Sequence, residues 1–143
     1  MRFFPRMMLL GFGALAASAC ASSGSSVLEL ADVERHEAAA GAPVPSFRFN
    51  RIDTFDVVGD HSVAVWEGQR KAWLLTLESP CSELRWSVTA TLGDGPRRVY
   101  ARTDDVGFTG AGSAKESCRI QSIRPLDVAA LRLSERESRQ ANR

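Results

Sequence analysis

The sequence predicts a mainly β fold: a small antiparallel sheet or barrel-like domain with a C-terminal helix and one disulfide. Three observations carry that prediction. From Phe47 onward, apolar residues recur with a period of two in short runs, the pattern of half-buried strands. Turns rich in Gly and Pro separate those runs at the spacing expected of an all-β domain. Cys81 and Cys118 are left to bridge once Cys20 is accounted for by the segment in front of it.

That segment opens with Arg2 and Arg6, continues as an apolar run from Met7 to Ala17, and ends in Leu15-Ala16-Ala17-Ser18-Ala19-Cys20. A basic n-region, an apolar h-region and small residues before a cut are the marks of an export signal. The run is too short to span a bilayer, which takes about 20 apolar residues. A cysteine directly after the cut resembles the lipobox of bacterial lipoproteins, in which the thiol is lipidated and becomes the new N-terminus. Ala17 departs from the commoner Leu or Val of that motif. Residues 1–19 are therefore expected to be a lipoprotein signal peptide and Cys20 the lipidation site. Ala21, rather than Asp, follows the cysteine. By resemblance to enterobacterial sorting this points to the outer membrane.

Residues 20–45 are expected to hold the lipidated N-terminus, a Ser/Gly tether over Ala21–Ser26 and a short helix near 27–40. Gly41-Ala42-Pro43-Val44-Pro45 breaks that helix, so the compact β-rich domain is placed at 46–128. Within it Phe55 and Val57 alternate up to a turn at Gly59-Asp60, and Val63 and Val65 alternate with Ala64 and Trp66 up to Gly68-Gln69. Trp73, Leu75 and Leu77 then form the clearest one-sided face. Ser79-Pro80-Cys81-Ser82 interrupts the pattern, with a helical turn expected through Leu84. Trp86, Val88, Ala90 and Leu92 make the next strand, which ends at Gly93-Asp94-Gly95-Pro96. Val99–Arg102, a short stretch near Val106, and Cys118–Ile123 complete the set. Residues 129–143 are expected to be a helical, basic, frayed tail. Asp127 caps it, Leu126, Ala130 and Leu133 face one way, and a break falls at Ser134-Glu135-Arg136-Glu137.

Charge and cysteine usage bound the chemistry. The chain has 18 basic and 17 acidic residues. Loss of Arg2 and Arg6 with the signal leaves the mature chain one charge negative. This balance gives no reason to expect nucleic acid as a partner. In an oxidising compartment, two remaining cysteines of one small domain most simply pair. His36 and His61 are the only histidines and show no ligand spacing, so neither a zinc site nor a cofactor is expected.

The segment Gly107–Ser117 places Gly107 and Gly112 at the outer spacing of a phosphate loop. Ser113-Ala114-Lys115 stands where Lys-Ser or Lys-Thr belongs, so a mobile hairpin loop is the expectation. Asp104 and Asp105, with Asp56, Asp60 or Glu83, are the carboxylates from which a hydrolytic pair would have to come. Ser79, Ser82 and Ser87 have no nucleophile-elbow setting. Trp73 and Trp86 are assigned to the core. Trp66, on the face opposite Val63 and Val65, is the candidate ligand-binding residue. Arg132, Arg136, Arg139 and Arg143 recur at helical spacing as a solvated basic strip.

Trp73-Leu74-Leu75-Thr76-Leu77, Pro80-Cys81, Leu84, Cys118-Arg119-Ile120 and Ile123-Arg124-Pro125-Leu126-Asp127 form a series. Together with the Arg51–Trp66 segment, this series resembles a proteobacterial family of small exported lipoproteins carrying a domain of unknown function. The likeness spans about residues 47–128, and Trp73 stands where Tyr is expected. The resemblance implies export and a compact β-rich scaffold, with no catalytic residues to carry over.

The expected function is accordingly a membrane-anchored periplasmic lipoprotein acting as a non-enzymatic binding or envelope-accessory module. Its partners would be the lipid bilayer, through Cys20, and an envelope protein or peptidoglycan. The alternatives are an inhibitor-type lipoprotein that blocks an enzyme and a cell-wall hydrolase.

Overall fold

The computed structural model describes residues 24–78, 81–93 and 97–143. The elements are α1 (Gly24–Ala39), β1 (Ser46–Arg48), β2 (Thr54–Val58), β3 (Ser62–Glu67), β4 (Lys71–Leu77), β5 (Ser87–Leu92), β6 (Arg98–Tyr100), β7 (Asp105–Gly110), β8 (Lys115–Pro125) and α2 (Val128–Ala141). A single 3-10 turn, Leu84–Trp86, precedes β5. The fold is mainly β, as the period-two runs predict. Six strands in the order β2-β3-β4-β8-β7-β5 form a nearly closed antiparallel sheet, and β1 pairs with β6 in a separate ribbon. The signal segment, Cys20, Ala21–Ser23 of the tether, Ser79-Pro80 and the Asp94-Gly95-Pro96 turn lie outside the described residues.

β8 makes the curvature. Its first half, Lys115–Arg119, pairs with β7, and Ile120–Pro125 pairs with β4. The register shifts where Leu77 faces Ile120 and Thr76 faces Ser122, leaving Gln121 as an extra residue. That bulge lets Ile120 and Ile123, three apart, both point inward. There they join Val63, Val65, Leu75, Leu77, Val106 and Phe108 in the interior core, with Leu84 and Val99 packed onto it.

A second core lies on the outer face of the sheet. Val58, Ala64, Ala72 and Leu74 meet Ala39 of α1, Val128 and Leu131 of α2, and Leu126. β3 and β4 are thus covered on both faces, which is why Leu74 is as buried as Leu75. Reading β4 as one-sided missed this, because the second cover comes from helices distant in sequence.

Several boundaries differ from expectation. α1 begins at Gly24, so residues 24–26 are helical and not tether, and the compact body starts well before Ser46. Its thin apolar face suffices because Val33 and Ala39 rest on an alanine-lined sheet, and because hydrogen bonds tie its C-terminal end to the end of β8 and the start of α2. The Gly41 N–H donates to the Pro125 carbonyl (2.8 Å) and the Asp127 N–H to that of Ala39 (2.8 Å). The Arg124 guanidinium donates to the carbonyls of Gly41 (2.9 Å) and Ala40 (3.2 Å) and pairs with Glu37, a cation placed at a helix C-terminus.

The tail expected after residue 128 is an ordered helix. Asp127 caps it as predicted, accepting from the Ala130 N–H at 3.0 Å. It runs through Ser134 without a break, and its buried face is Val128 and Leu131, whereas Ala130 and Leu133 are exposed. The hairpin expected at Gly107–Ser117 is present, and it is a tight one. Gly107 and Gly110 lie in β7, Lys115–Ser117 lie in β8, and the Gly110 N–H donates to the Ala114 carbonyl at 2.8 Å. A Cβ on Gly107 would fall 2.7 Å from Thr91 Oγ1, and one on Gly110 would fall 2.6 Å from Glu83 Oε2. Close packing accounts for those two glycines.

Cys81 and Cys118, 37 positions apart in sequence, form a disulfide with Cα atoms 6.3 Å apart. The bond ties the segment after β4 to the middle of β8.

Candidate functional site

The β3–β4 hairpin positions the candidate site. Gly68 occupies its turn with φ +64°, a conformation that favours glycine. The Gly68 N–H donates to Asp53 Oδ2 at 2.6 Å, and Arg51 donates to Asp53 Oδ1 at 2.6 Å. The turn N–H, followed by Arg51, holds the Asp53 carboxyl below the usual carboxylate range.

Trp66 lies just before this turn, on the outer face of β3. It is directly opposite Thr54 of β2 and Ala72 of β4. Its Nε1–H donates to Asp56 Oδ2 at 2.8 Å, which fixes the indole against β2. The ring is half-buried at the edge of the helix-covered core. Arg132 of α2 closes the arrangement by donating to the Gln69 carbonyl at 2.5 Å. Asp53, Thr54, Asp56, Trp66, Gln69 and Arg132 line a cleft of about 700 Å³. An aromatic surface flanked by carboxylates, a hydroxyl, an amide and a guanidinium suits a hydroxyl-rich ligand better than an apolar one.

The remaining tryptophans divide. Trp73 is buried at 8% exposure and stacks on Phe47, with ring centroids 4.3 Å apart. Trp86 is 71% exposed, against the expectation that it packs in the core. It closes the 3-10 turn and does not begin β5. A register shift between Ser87 and Thr89 leaves Val88 exposed beside it.

Three of the carboxylates named from the sequence, Asp60, Asp104 and Asp105, are engaged away from Trp66. Asp104 accepts from the Tyr100 N–H (2.8 Å), and Asp105 pairs with Arg119. Asp60 pairs with Arg85 (2.7 Å). Only Asp56 reaches the Trp66 cleft, where its neighbour is Asp53, a residue the sequence did not single out. Asp53 was invisible because its partner Gly68 is 15 residues away in sequence. The turn at Gly68-Gln69 was the one available signal.

His36 is buried, with Nδ1 2.9 Å from the Asp32 carbonyl oxygen, and His61 is exposed. Neither approaches the sulfur pair. Glu116 does lie beside Cys81 and Cys118, but sulfurs joined to each other are not thiolates and do not offer a zinc site. The arginine strip on α2 is broken up, Arg132 being drawn to Gln69 and Arg139 to Glu135 (3.7 Å).

A scan against protein-family models matches residues 3–142 to a family of unknown function (DUF6491). The chain belongs to this family. The match spans every element from α1 to α2 and includes Cys20. No curated protein and no solved structure matches the chain significantly.

Proposed function

We propose that this DUF6491 protein is an exported lipoprotein, cleaved before Cys20 and held by a lipid there on the periplasmic face of the outer membrane. Its folded body serves as a non-enzymatic module that binds glycan-type ligands such as peptidoglycan strands. The leader, with its basic start, apolar run and small residues before Cys20, supports the address. The Cys81–Cys118 bond fits an oxidising compartment.

One observation carries the binding reading. The Trp66 indole is fixed by Asp56 in a cleft whose other carboxylate, Asp53, is held as an anion by two donors. A glycosidase needs a carboxylic acid with a raised pKa to protonate the leaving group. Asp53 is shifted the opposite way, which argues against it as that acid.

The address is tested by metabolic labelling with a palmitate analogue, in which the wild type takes the label and Cys20→Ala does not. An unlabelled wild type would remove the anchor. The binding reading is tested by co-sedimentation with purified peptidoglycan sacculi. The wild type is expected in the pellet, and Trp66→Ala is expected to lose about fivefold or more. A wild type that stays in the supernatant ends the glycan reading, and release of soluble sugar fragments replaces it with hydrolysis.

A further inference from the structure

We infer that a second ligand site lies at the mouth of the barrel and takes a small phosphate ester carrying a free hydroxyl group. The β1–β6 ribbon covers that end of the sheet, with Phe47 stacked on Trp73. The inward-facing column of β3, Val63 and Val65, runs out at Glu67, which is paired with Lys71 across the hairpin. Between ribbon and hairpin is a cleft of about 580 Å³ lined by Arg48, Glu67, Lys71, Arg97, Arg98 and Tyr100, among others. Barrel mouths are frequent ligand sites.

Three features of this cleft are costly for the protein alone. Arg48 and Arg98 stand directly opposite each other on the outer face of the ribbon, where like charges destabilise strand pairing. Among the described residues neither has a carboxylate partner. Among the described residues Arg98 donates only to Ser46 Oγ (3.0 Å), and it lies 5.8 Å from the Tyr100 ring centre. Arg97 sits next to this pair with φ +52°, a left-handed conformation uncommon for a residue with a side chain. Glu67 Oε2 is buried with no hydrogen-bond donor among the described residues and has Lys71 Nζ 3.5 Å away, while its Oε1 takes the Asn50 N–H at 2.9 Å. The other acid in the cleft, Asp104, is already engaged by the Tyr100 N–H.

A single ligand resolves the first and third. Guanidinium forks bind phosphate oxygens in pairs, so a phosphate between Arg48, Arg98 and Arg97 removes their repulsion. A hydroxyl on the same molecule supplies the donor that Glu67 Oε2 lacks. Glycerol 3-phosphate, a soluble monoester, and the headgroup of phosphatidylglycerol, a diester, both offer phosphate oxygens beside free hydroxyls.

The test is calorimetric titration of the full-length protein with glycerol 3-phosphate and with inorganic phosphate, alongside vesicle co-sedimentation. Vesicle binding is scored as phosphatidylglycerol minus phosphatidylcholine, so that any anchor common to both cancels. Saturable binding of glycerol 3-phosphate at about 1 mM or tighter is expected. It should weaken about tenfold or more in Arg48→Gln/Arg98→Gln, whose fold is checked by circular dichroism, and stay unchanged in Arg136→Gln on α2. Glu67→Ala should abolish the preference for glycerol 3-phosphate over inorganic phosphate. If only phosphatidylglycerol vesicles bind, and do so through Arg48 and Arg98, the same chemistry is met at a lipid headgroup. Absence of saturable binding in both arms overturns the inference. So does binding that the double variant retains.

Discussion

Asp53 shows how one side chain shapes the Trp66 cleft. It joins the segment before β2 to the β3–β4 turn by accepting from the Gly68 N–H and from Arg51. Both donors favour the ionised form, so the folded-state pKa lies below the ordinary carboxylate value. A carboxyl depressed on folding adds stability that is fully present above its unfolded pKa, about 4, and that is lost as pH falls through the folded value. Urea midpoints measured from pH 7 down to pH 2 should therefore fall more steeply below pH 4 in the wild type than in Asp53→Asn. Parallel profiles would show that the two donors contribute no pH-linked stability. The group is solvent-accessible, so the difference is expected to be small and to shrink with added salt.

At the scale of elements, alternation made the strands legible, because each has at least one face on the interior core. Val63 and Val65, and Trp73, Leu75 and Leu77, were placed correctly on that basis. What alternation does not encode is cover from elements far away in sequence. Leu74 is buried by helices, and Gln121 is a bulge that resets the register of β8. The phase of α2 was misjudged for the same reason. Leu126, Ala130 and Leu133 look like a stripe, but Leu126 precedes the helix, and the residues that reach the alanine-lined sheet are Val128 and Leu131. Trp66 was legible as the odd residue on its strand, whereas Thr54, Asp56 and Arg132 are brought beside it by sheet pairing and by α2. The helix assignment is directly testable. Leu131, fully buried, should cost about 2–5 kcal/mol when changed to alanine, by lost transfer and residual cavity. Leu133, 51% exposed, should stay within about 0.5 kcal/mol. Equal losses in chemical denaturation would mean that α2 is rotated about its axis.

For the whole molecule, the two cores share β3 and β4, so neither can be dismantled without exposing the other. Helical circular dichroism and tryptophan fluorescence should accordingly report one unfolding transition. The disulfide acts on that single equilibrium. Its 37-residue separation gives about 4 kcal/mol in the chain-entropy model, a large part of the roughly 5–15 kcal/mol typical of a domain. A second tie spans the same two segments. Glu116 Oε2 accepts from the Glu83 N–H (2.7 Å) and Ser82 Oγ (3.1 Å), pinning the same segment to β8. A Cys81→Ala/Cys118→Ala variant should therefore keep its β-rich spectrum while its urea midpoint falls by the equivalent of about 4 kcal/mol, with both probes still coincident. Separation of the probes would show that the helix-covered core outlives the interior one. An unchanged midpoint would show that the bond constrains the unfolded chain far less than its loop length implies.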